Sequence, residues 1–299
     1  MLLRETLELL EPAGGGVFVD CTLGLGGHAE ALLAADPAVR LIGIDRDPAA
    51  LARARRRLAA SGERVSCLEG HFGEIGELLR DAGVGGVRGI LADLGVSSMQ
   101  LDTPERGFSF RFEGPLDMRM GTSGPTAGDI VNDYAEADLV RIFSEYGEER
   151  QARRVARAIA AARKEHPIAT TRELRDLVHR AKRQYGRRRV DPATQVFQAL
   201  RIEVNRELAG LEELLRQVPN LLERGGRLVV ISYQSLEDRI VKNTLRDLAR
   251  GEVDEVTGRT RSETRLLEVL TRRPVRPGEV EIAANPRARS ARLRAARRL

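Results

Sequence analysis

The chain has 299 residues, of which 42% are hydrophobic and 31% are charged. This length suits one large α/β domain, or one domain with a second attached. No apolar run approaches the roughly 20 residues that cross a bilayer, and the first residues lack the basic segment and apolar run of a secretory signal. The composition therefore predicts a cytoplasmic protein and argues against a membrane protein.

Basic residues outnumber acidic ones by 49 to 44, which gives a formal net charge of +5. This balance favours a polyanionic partner without identifying it. Only three of the basic residues are lysines and the rest are arginines, a skew that genomic base composition can produce without selection for binding. Cys21 and Cys67 belong to no CxxC pair and have no histidine at ligand spacing. We interpret them as buried thiols and expect no metal site.

The first part of the chain alternates short apolar runs with helix-like stretches. One of these stretches is opened by Asp47 as N-cap and by Pro48 in its first turn. The alternation predicts a doubly wound parallel sheet with right-handed crossover helices. The predicted strands are residues 16–22, 40–45, 65–70 and 87–94, and the predicted helices are residues 29–35 and 48–60.

The α/β alternation stops after Ser98. Residues 103–125 are rich in Gly, Pro and Arg, have no clean period and contain the run RGFSFRF. A long loop of this kind is usually functional. Residues 126–189 then become helical, with Thr170 and Glu173 spaced as a capping box. The pattern predicts a small helical insertion.

The α/β pattern resumes at Asp191. A single helix is predicted to start there, with one apolar stripe from Phe197 to Leu215. The elements predicted after it are a strand at 227–233 following Gly225-Gly226, a helix at 236–250, and a late strand at 265–271 before a basic tail. The predicted domains are residues 1–102 with 205–299 for the α/β part and residues 103–204 for the insertion.

A glycine-rich loop follows the first predicted strand. That strand runs into TLGLGGH at 22–28 and then into a helix. Such a loop brings backbone N–H groups close to a ligand at the positive end of a helix, and a Cβ at its glycines would block the approach. Asp45 ends the second strand, where a carboxylate can accept hydrogen bonds from the ribose hydroxyls of a nucleoside cofactor.

The loop also fits a loose dinucleotide fingerprint through Gly24, Gly26 and Ala29, so a nicotinamide-dependent oxidoreductase is one alternative. The segment DLGVSS at 93–98 favours a different enzyme. It is a polar loop of small residues at the carboxyl edge of the sheet, where methyltransferases of this fold place the methyl acceptor. We therefore expect an S-adenosylmethionine-dependent methyltransferase. A non-catalytic, nucleotide-binding assembly factor is the other alternative.

Six segments of the chain together resemble one known family. They are DCTLGLGGH at 20–28, DLGVSSMQLD at 93–102, RGFSFRFEGPLDMRM at 106–120, YGEER at 146–150, ISYQSLEDRIVK at 231–242 and NPRARS at 285–290. The chain is similar to the bacterial small-subunit (16S) ribosomal RNA cytosine-N4 methyltransferases, in order and over nearly its whole length.

The resemblance implies a Rossmann-like class I methyltransferase domain, with a mostly parallel sheet, interrupted by a helical substrate-recognition domain. It implies S-adenosylmethionine as the cofactor. As substrate it implies a cytidine in the decoding region of 16S rRNA, within the small ribosomal subunit. A homodimer is left open.

Carried over by position, the resemblance also implies cofactor contacts. Asp45 would bind the ribose, Phe72 would lie against the adenine, and Asp93 and Gln100 would be polar partners. His28, just inside a helix, is assigned to cofactor contact rather than to catalysis. The predicted cofactor-binding residues are Gly24 from the loop itself, Gly26, Gly27, His28, Asp45, Phe72, Asp93 and Gln100.

Two features depart from the family pattern. The family usually has a His-x-Pro-Val-type segment before the Leu-Leu-x-Glu stretch, and here Met1 directly precedes that stretch. Any contact from such a segment is therefore expected to be missing or replaced. Gln234 stands where the family commonly has His, which weakens any mechanism that needs an imidazole base at that position.

Methylation of cytosine N4 needs chiefly positioning, because the amino lone pair is delocalised into the ring while a sulfonium methyl is already activated. Hydrogen-bond acceptors near the amino group would help, and Asp93, Ser97 and Ser98 are the catalytic candidates. Methylation of the ring carbon would instead require a cysteine nucleophile. Neither Cys21 nor Cys67 lies in an acceptor-site loop, which favours the amino group.

An RNA base must be unpaired or splayed out to enter such a site, with arginines holding the strand by its phosphates. Aromatic and cationic residues are mixed in the 106–120 segment, although its phenylalanines are equally compatible with anchoring the loop in a core. The predicted substrate-binding residues are Arg106, Phe108, Phe110, Arg111, Arg119, Ser232 and Ser235, with Phe112, the run Arg187–Arg189 and the tail arginines 287, 289, 292, 294, 297 and 298 as further candidates.

Overall fold

The computed structural model describes residues 1–182, 191–252 and 260–299. The chain divides into two compact units. One consists of Met1–Gly95 with Leu208–Leu299, and the other is Val96–Glu207. The predicted insertion at 103–204 lies within the second unit.

A seven-stranded sheet forms the centre of the first unit, in the order β3-β2-β1-β4-β5-β7-β6. Strands β1 to β5 pair in parallel, and β7 runs antiparallel between β5 and β6. The predicted Rossmann-like α/β fold with a mostly parallel sheet is confirmed. The strands are β1 Gly16–Asp20, β2 Val39–Asp45, β3 Val65–Glu69, β4 Val87–Asp93, β5 Leu222–Ser232, β6 Leu267–Val269 and β7 Arg292–Arg298.

The helices include four that the periodicity did not predict, α1, α4, α5 and α13. Within the described residues, none of them is long and apolar enough to cross a membrane. The helices are α1 Leu3–Leu10, α2 Gly27–Ala35, α3 Pro48–Arg57, α4 Ile75–Asp81, α5 Ser98–Asp102, α6 Ala127–Asp133, α7 Glu136–Glu145, α8 Ala152–Ala162, α9 Thr171–Ala181, α10 Thr194–Asn205, α11 Glu207–Leu221, α12 Ser235–Arg250 and α13 Glu279–Ala284.

The central strands are buried on both faces, which explains why their sequences are continuous apolar runs. Successive side chains point to opposite faces of a strand, and in β1 both Phe18 and Val19 are fully buried. Phe18 belongs to a core shared with α1, α2 and α3. Val19 belongs to a second core, shared with α4, α11 and α12. The sheet is therefore a layer between two cores.

The basic tail predicted after residue 271 is wrong in its last part, because residues 292–298 form strand β7. Leu293, Ala295 and Ala296 are buried there. Arg294 is only 7% exposed, and its Nε donates to Asp238 Oδ1 at 2.6 Å. Arg297 pairs with Glu268 of β6 at 2.5 Å. The arginines of this strand are neutralised by acidic residues that are distant in sequence. The local composition of residues 292–298 therefore does not reveal that they form a strand.

The second unit is built from α5 to α10 around one core, to which Phe143, Val155 and Leu174 contribute fully buried side chains. The predicted capping box begins α9: Glu173 N donates to Thr170 Oγ1 at 3.2 Å, and Thr170 N donates to Glu173 Oε2 at 3.1 Å. This part of the prediction is confirmed. The predicted arginine run 187–189 lies outside the described residues.

The single helix predicted from Asp191 is also wrong, because the structure has two helices there. Arg206 has φ 50° and separates α10 from α11. Asn205, at the end of α10, donates from Nδ2 to the Met118 carbonyl at 2.7 Å and accepts from Met120 N at 2.8 Å. These bonds tie the helix end to the 106–120 loop. A continuous apolar stripe does not reveal such a break.

We predict that Asp238→Ala destabilises the first unit, because it leaves the Arg294 guanidinium buried without its carboxylate. The expected loss is about 2–3 kcal/mol of unfolding free energy, measured by urea denaturation. Asp247→Ala on the same helix is the matched control. Its pair with Arg246 is well exposed, at 64% for each side chain, and should contribute less than about 1 kcal/mol. Equal losses in both variants would contradict the prediction.

Candidate active site

Three aspartates end three neighbouring strands at one edge of the sheet. Asp20 is the last residue of β1, Asp45 of β2 and Asp93 of β4, and β1 pairs with both of the other strands. Carboxyl ends of parallel strands meet at the edge where ligands bind in this class of fold. Asp45 and Asp93 were predicted. Asp20 was not, although it carries the same signal, a polar residue that closes an apolar strand.

Burial dominates the electrostatics of these three groups. It raises the pKa of Asp20 to about 7, and repulsion from Asp93 and Asp45 adds to the rise, while the hydrogen bond from Thr22 N at 3.1 Å opposes it. Burial likewise raises the pKa of Asp45 and of Asp93. A cation placed among them would relieve both the desolvation and the repulsion, so the site favours a positively charged ligand.

The glycine-rich loop is fixed by its backbone angles and by Asp45. Gly24 has φ +51° and Gly26 has φ +78°, values that L side chains rarely adopt. Gly24 N donates to Asp45 Oδ2 at 2.7 Å, and Asp47 N donates to Asp45 Oδ1 at 2.9 Å. Helix α2 then begins at Gly27. Asp45 therefore anchors the loop, a role that its spacing did not reveal.

Asp93 is held by groups from two other elements. Its Oδ1 accepts from the Tyr233 hydroxyl at 2.7 Å, and its backbone N donates to Thr22 Oγ1 at 2.7 Å. His28 Nδ1 lies 3.8 Å from Asp93 Oδ2. These contacts bring the ends of β1, β4 and β5 together around one carboxylate. Tyr233 was not predicted, although it directly follows the fifth strand.

His28 is engaged within the protein through its other ring nitrogen. Its Nε2 lies 2.9 Å from the Met1 carbonyl oxygen, which can only accept, so Nε2 carries the proton. Burial lowers the pKa of His28, against the opposing effect of Asp93, and this favours the neutral ring. The geometry gives His28 an internal contact beside Asp93, and its predicted cofactor contact stays a prediction.

The turn after β5 positions Tyr233. Glu237 Oε2 accepts from Tyr233 N at 2.8 Å and from Gln234 N at 3.1 Å, so Gln234 marks the start of α12. Among the predicted substrate contacts, Ser232 is 2% exposed and donates from Oγ to the Arg292 carbonyl at 3.3 Å, and Ser235 is the first residue of α12. The sequence did not predict a role for Glu237, because its hydrogen bonds to the backbone of residues 233 and 234 exist only in the folded turn.

Phe72, predicted to lie against adenine, opens a short helical turn shortly after β3. Its ring is stacked on that of His71, with centroids 4.3 Å apart. Phe72 is only partly buried, at the border of the core that includes α4. Its position after β3 is compatible with the predicted role, which remains a prediction.

The remaining predicted residues belong to the second unit. Ser97 and Gln100 cap α5 reciprocally: Gln100 N donates to Ser97 Oγ at 3.2 Å, and Ser97 N donates to Gln100 Oε1 at 3.0 Å. Ser98 is exposed at the start of that helix. The predicted 93–98 loop is thus divided between the units. The catalytic and cofactor roles of these three residues stay predictions.

The 106–120 segment is braced largely by its own side chains. Arg106 donates to the carbonyls of residues 119 and 120, and Arg119 forms a bidentate pair with Asp117 at 2.9 and 2.8 Å. Phe108 is 7% exposed in the core, and Phe110 packs edge-on against Phe197 at 4.9 Å. Arg111 and Phe112 are exposed. Core anchoring, the alternative considered for the phenylalanines, therefore describes the first two.

A comparison with known families identifies the chain. The model of the MraW methylase family matches residues 1–299. The chain belongs to the MraW methylase family. It is therefore a methyltransferase, as predicted, and S-adenosylmethionine is its methyl donor; the oxidoreductase and the non-catalytic factor are set aside.

Relatives in this family are similar over nearly their whole length. Three of them carry the name ribosomal RNA small subunit methyltransferase H. The protein from Geobacter sulfurreducens is 54% identical, covering 99% of this chain and 96% of its own; that from Sorangium cellulosum is 50% identical, covering 99% and 89%; and that from Granulibacter bethesdensis is 47% identical, covering 99% and 89%.

The site fits the cofactor of a methylase by its charge. S-adenosylmethionine carries a sulfonium and an ammonium group, both cationic, whereas a dinucleotide carries an anionic pyrophosphate. Buried Asp20 and partly buried Asp93 suit the cationic groups of the first ligand, whereas Asp45 at the glycine loop suits the ribose of either ligand. Among the described residues, no cluster of three or more His, Cys, Asp or Glu side chains could hold a metal ion.

Neither cysteine has the lowered pKa that is typical of a reactive nucleophile. Cys21 is buried in the strand end beside Asp20, and burial raises its pKa well above the usual thiol range. Burial also raises the pKa of Cys67. Reactive cysteines need the opposite shift, since the thiolate is the nucleophile. This agrees with amino-group chemistry.

We predict that Asp20→Asn stabilises the protein at about pH 8, by roughly 2 kcal/mol, because it removes a buried charge. The folded-state pKa of Asp20, about 7, lies above the usual aspartate value of 3.8. The folded state therefore binds this proton more tightly, and the charge penalty grows as the pH rises to about 7. The gain should be largest above that pH and should vanish towards about pH 4, in thermal unfolding followed by calorimetry.

Asp36→Asn is the matched control with the opposite sign. Hydrogen bonds from the backbone N–H groups of Ala38 and Gly14 lower the pKa of Asp36, so its loss should destabilise the protein at neutral pH. An Asp20→Asn gain that does not change with pH would contradict the electrostatic account. The Asp20→Asn variant should also bind S-adenosylmethionine more weakly, because it removes a negative charge from the site of a cationic ligand.

Proposed function

We propose that this chain transfers a methyl group from S-adenosylmethionine to the exocyclic N4 of a cytidine in the decoding region of 16S rRNA, within the small ribosomal subunit and hence in the cytoplasm. The names of its relatives support small-subunit rRNA as the substrate. The observation that carries the proposal is the partly buried Asp93 carboxylate, held by Tyr233 at the carboxyl edge of the sheet.

Cytosine N4 is a weak nucleophile because its lone pair is delocalised into the ring. S-adenosylmethionine supplies, when bound, a methyl group that its sulfonium has already activated. The task of the protein is to align the two and to keep water out. A carboxylate that accepts a hydrogen bond from the amino group would turn the lone pair towards the methyl.

Asp93 has an oxygen suited to that contact. Its Oδ1 is occupied by the Tyr233 hydroxyl, which fixes the plane of the carboxylate. Its Oδ2 is 3.8 Å from His28 Nδ1, beyond hydrogen-bond distance, and so retains acceptor capacity. Burial raises the pKa of Asp93, which makes its carboxylate a stronger proton acceptor than an exposed one. Oδ2 can then take the proton that N4 loses after methylation.

We assign cofactor binding to the first unit and substrate recognition to the second. In the first, the glycine-rich loop and Asp45 provide backbone donors and a carboxylate for a nucleoside. In the second, the Phe112 ring is 53% exposed beside the exposed Arg111. An exposed aromatic next to a cation suits a base that is splayed out of an RNA strand. Ser97 and Ser98 are retained as candidates for orienting the cytosine.

We predict different kinetic defects for the two predicted aspartates. Asp93→Ala should lower kcat for methyl transfer to 16S rRNA by about 100-fold or more, because it removes the group that orients the amino nitrogen. Asp45→Ala should leave kcat nearly unchanged and raise the KM for S-adenosylmethionine roughly tenfold, because it removes a charged hydrogen-bond partner. Transfer of labelled methyl under saturating rRNA measures both.

Each variant serves as the control for the other, since both remove a partly exposed aspartate from the same sheet edge. Asp93→Asn keeps the shape of the side chain and should share the kcat defect if the charge is required. Normal turnover by either Asp93 variant at saturating cofactor would refute its catalytic role. A wild-type protein that transfers no methyl either to free 16S rRNA or to the small ribosomal subunit would refute the proposed substrate.

A further inference from the structure

Helix α8 in the second unit has two contrasting faces. Ala152, Val155, Ala156 and Ile159 are buried in the core. The opposite face is arginine-rich and exposed. It consists of Arg150, just before the helix, and Arg153, Arg154 and Arg157, and we refer to these four residues as the α8 arginine face.

The spacing places Arg153, Arg154 and Arg157 on one side of the helix, and Arg150 lies in the turn just before it. Positions three, four and seven residues apart lie on the same face, because a helix turns once in 3.6 residues. Within the part of the chain that the structure describes, none of these guanidinium groups has a hydrogen-bond or ion-pair partner. Glu149, the nearest acidic residue in sequence, is buried and paired with Lys182.

Several other exposed arginines of the chain are neutralised locally. Arg57 pairs with Glu30 at 2.7 Å, and Arg297 pairs with Glu268 at 2.5 Å. Two of the tail arginines that were candidate RNA contacts, Arg294 and Arg297, are thus paired with carboxylates inside the first unit. The α8 arginine face keeps its full charge, so it contributes more to attraction of a polyanion.

The charges on α8 also oppose the stability of their own helix. Arg153 and Arg154 lie in its first turn, which has no acidic residue and where the helix dipole favours negative charge. Arg153 and Arg157 are like charges four residues apart, a spacing that destabilises a helix. A face that costs helix stability and has no internal partner is explained by an external one.

We propose that the α8 arginine face binds the phosphate backbone of the rRNA substrate. The inference rests on the proposed function, because it takes rRNA as the partner, and it adds a surface to which the family resemblance assigned no role. Arginine is suited to phosphate because its planar fork donates two hydrogen bonds at once. Contacts of this kind fix the strand and its register without reading sequence.

The test uses the triple variant Arg153→Gln/Arg154→Gln/Arg157→Gln in the full chain. Binding to a fluorescently labelled 16S rRNA transcript is measured by anisotropy over a range of salt concentrations. We expect a Kd raised roughly tenfold or more and a salt slope reduced by about 2, as for the loss of three phosphate contacts. The KM for rRNA should rise, with kcat and the KM for S-adenosylmethionine unchanged.

The matched control is Arg53→Gln/Arg56→Gln/Arg80→Gln, which removes the same charge from exposed arginines of the first unit that have no ion-pair partner among the described residues. It should change rRNA affinity by less than about threefold. The α8 variant should also unfold at the same temperature as the wild type or higher, because its arginines oppose the helix. A merely structural role predicts a lower temperature.

Equal losses of affinity in the two triple variants would overturn the proposal, since net charge would then explain the binding. Retained affinity for the transcript, with weaker binding to unmodified small subunits, would assign the face to a ribosomal protein and also overturn it. If the wild type binds the transcript but does not methylate it or the subunit, the proposed function fails. The binding comparison still decides the role of the α8 face.

Discussion

The crowding of three carboxylates at one sheet edge, with Asp20 buried and Asp45 and Asp93 partly buried, is the constraint on which the first unit depends. Asp20, Asp45 and Asp93 end adjacent strands, and two of them repel the third strongly enough to add to its raised pKa. This repulsion lowers the stability of the folded protein, but the same negative charge attracts a cationic cofactor to the edge. The stability of the site and its affinity for the cofactor are therefore opposed.

Hydrogen bonds from backbone N–H groups and from one hydroxyl partly offset the cost of placing these carboxylates together. Thr22 N and Gly24 N each donate to one of these aspartates, and the Tyr233 hydroxyl donates to Asp93. Glu237 in turn holds the turn that presents Tyr233. The loop that makes the Gly24 contact contains two glycines with left-handed backbone angles, Gly24 and Gly26.

Local patterns predicted the parts of this structure that local physics determines. Apolar runs closed by a polar residue located the first four strands to within a residue or two, and the spacing of Thr170 and Glu173 located a helix start. Strand β7 was missed because Arg294 is tolerated only through Asp238, 56 positions away in the chain. The helix break at Arg206 was missed for a similar reason, because contacts to a distant loop hold it.

The candidate site likewise has parts that the sequence predicts and parts that depend on distant contacts. Its strand-end aspartates could be read from the sequence, whereas the bonds that make Asp93 a fixed acceptor come from other strands. The central claim is that this fixed acceptor directs methylation to cytosine N4. It is tested by nucleoside mass spectrometry of 16S rRNA from a strain that lacks this protein and from the same strain expressing it. We predict that N4-methylated cytidine is lost and then restored; an unchanged level, or loss of a cytidine methylated at the ring carbon instead, would contradict the account.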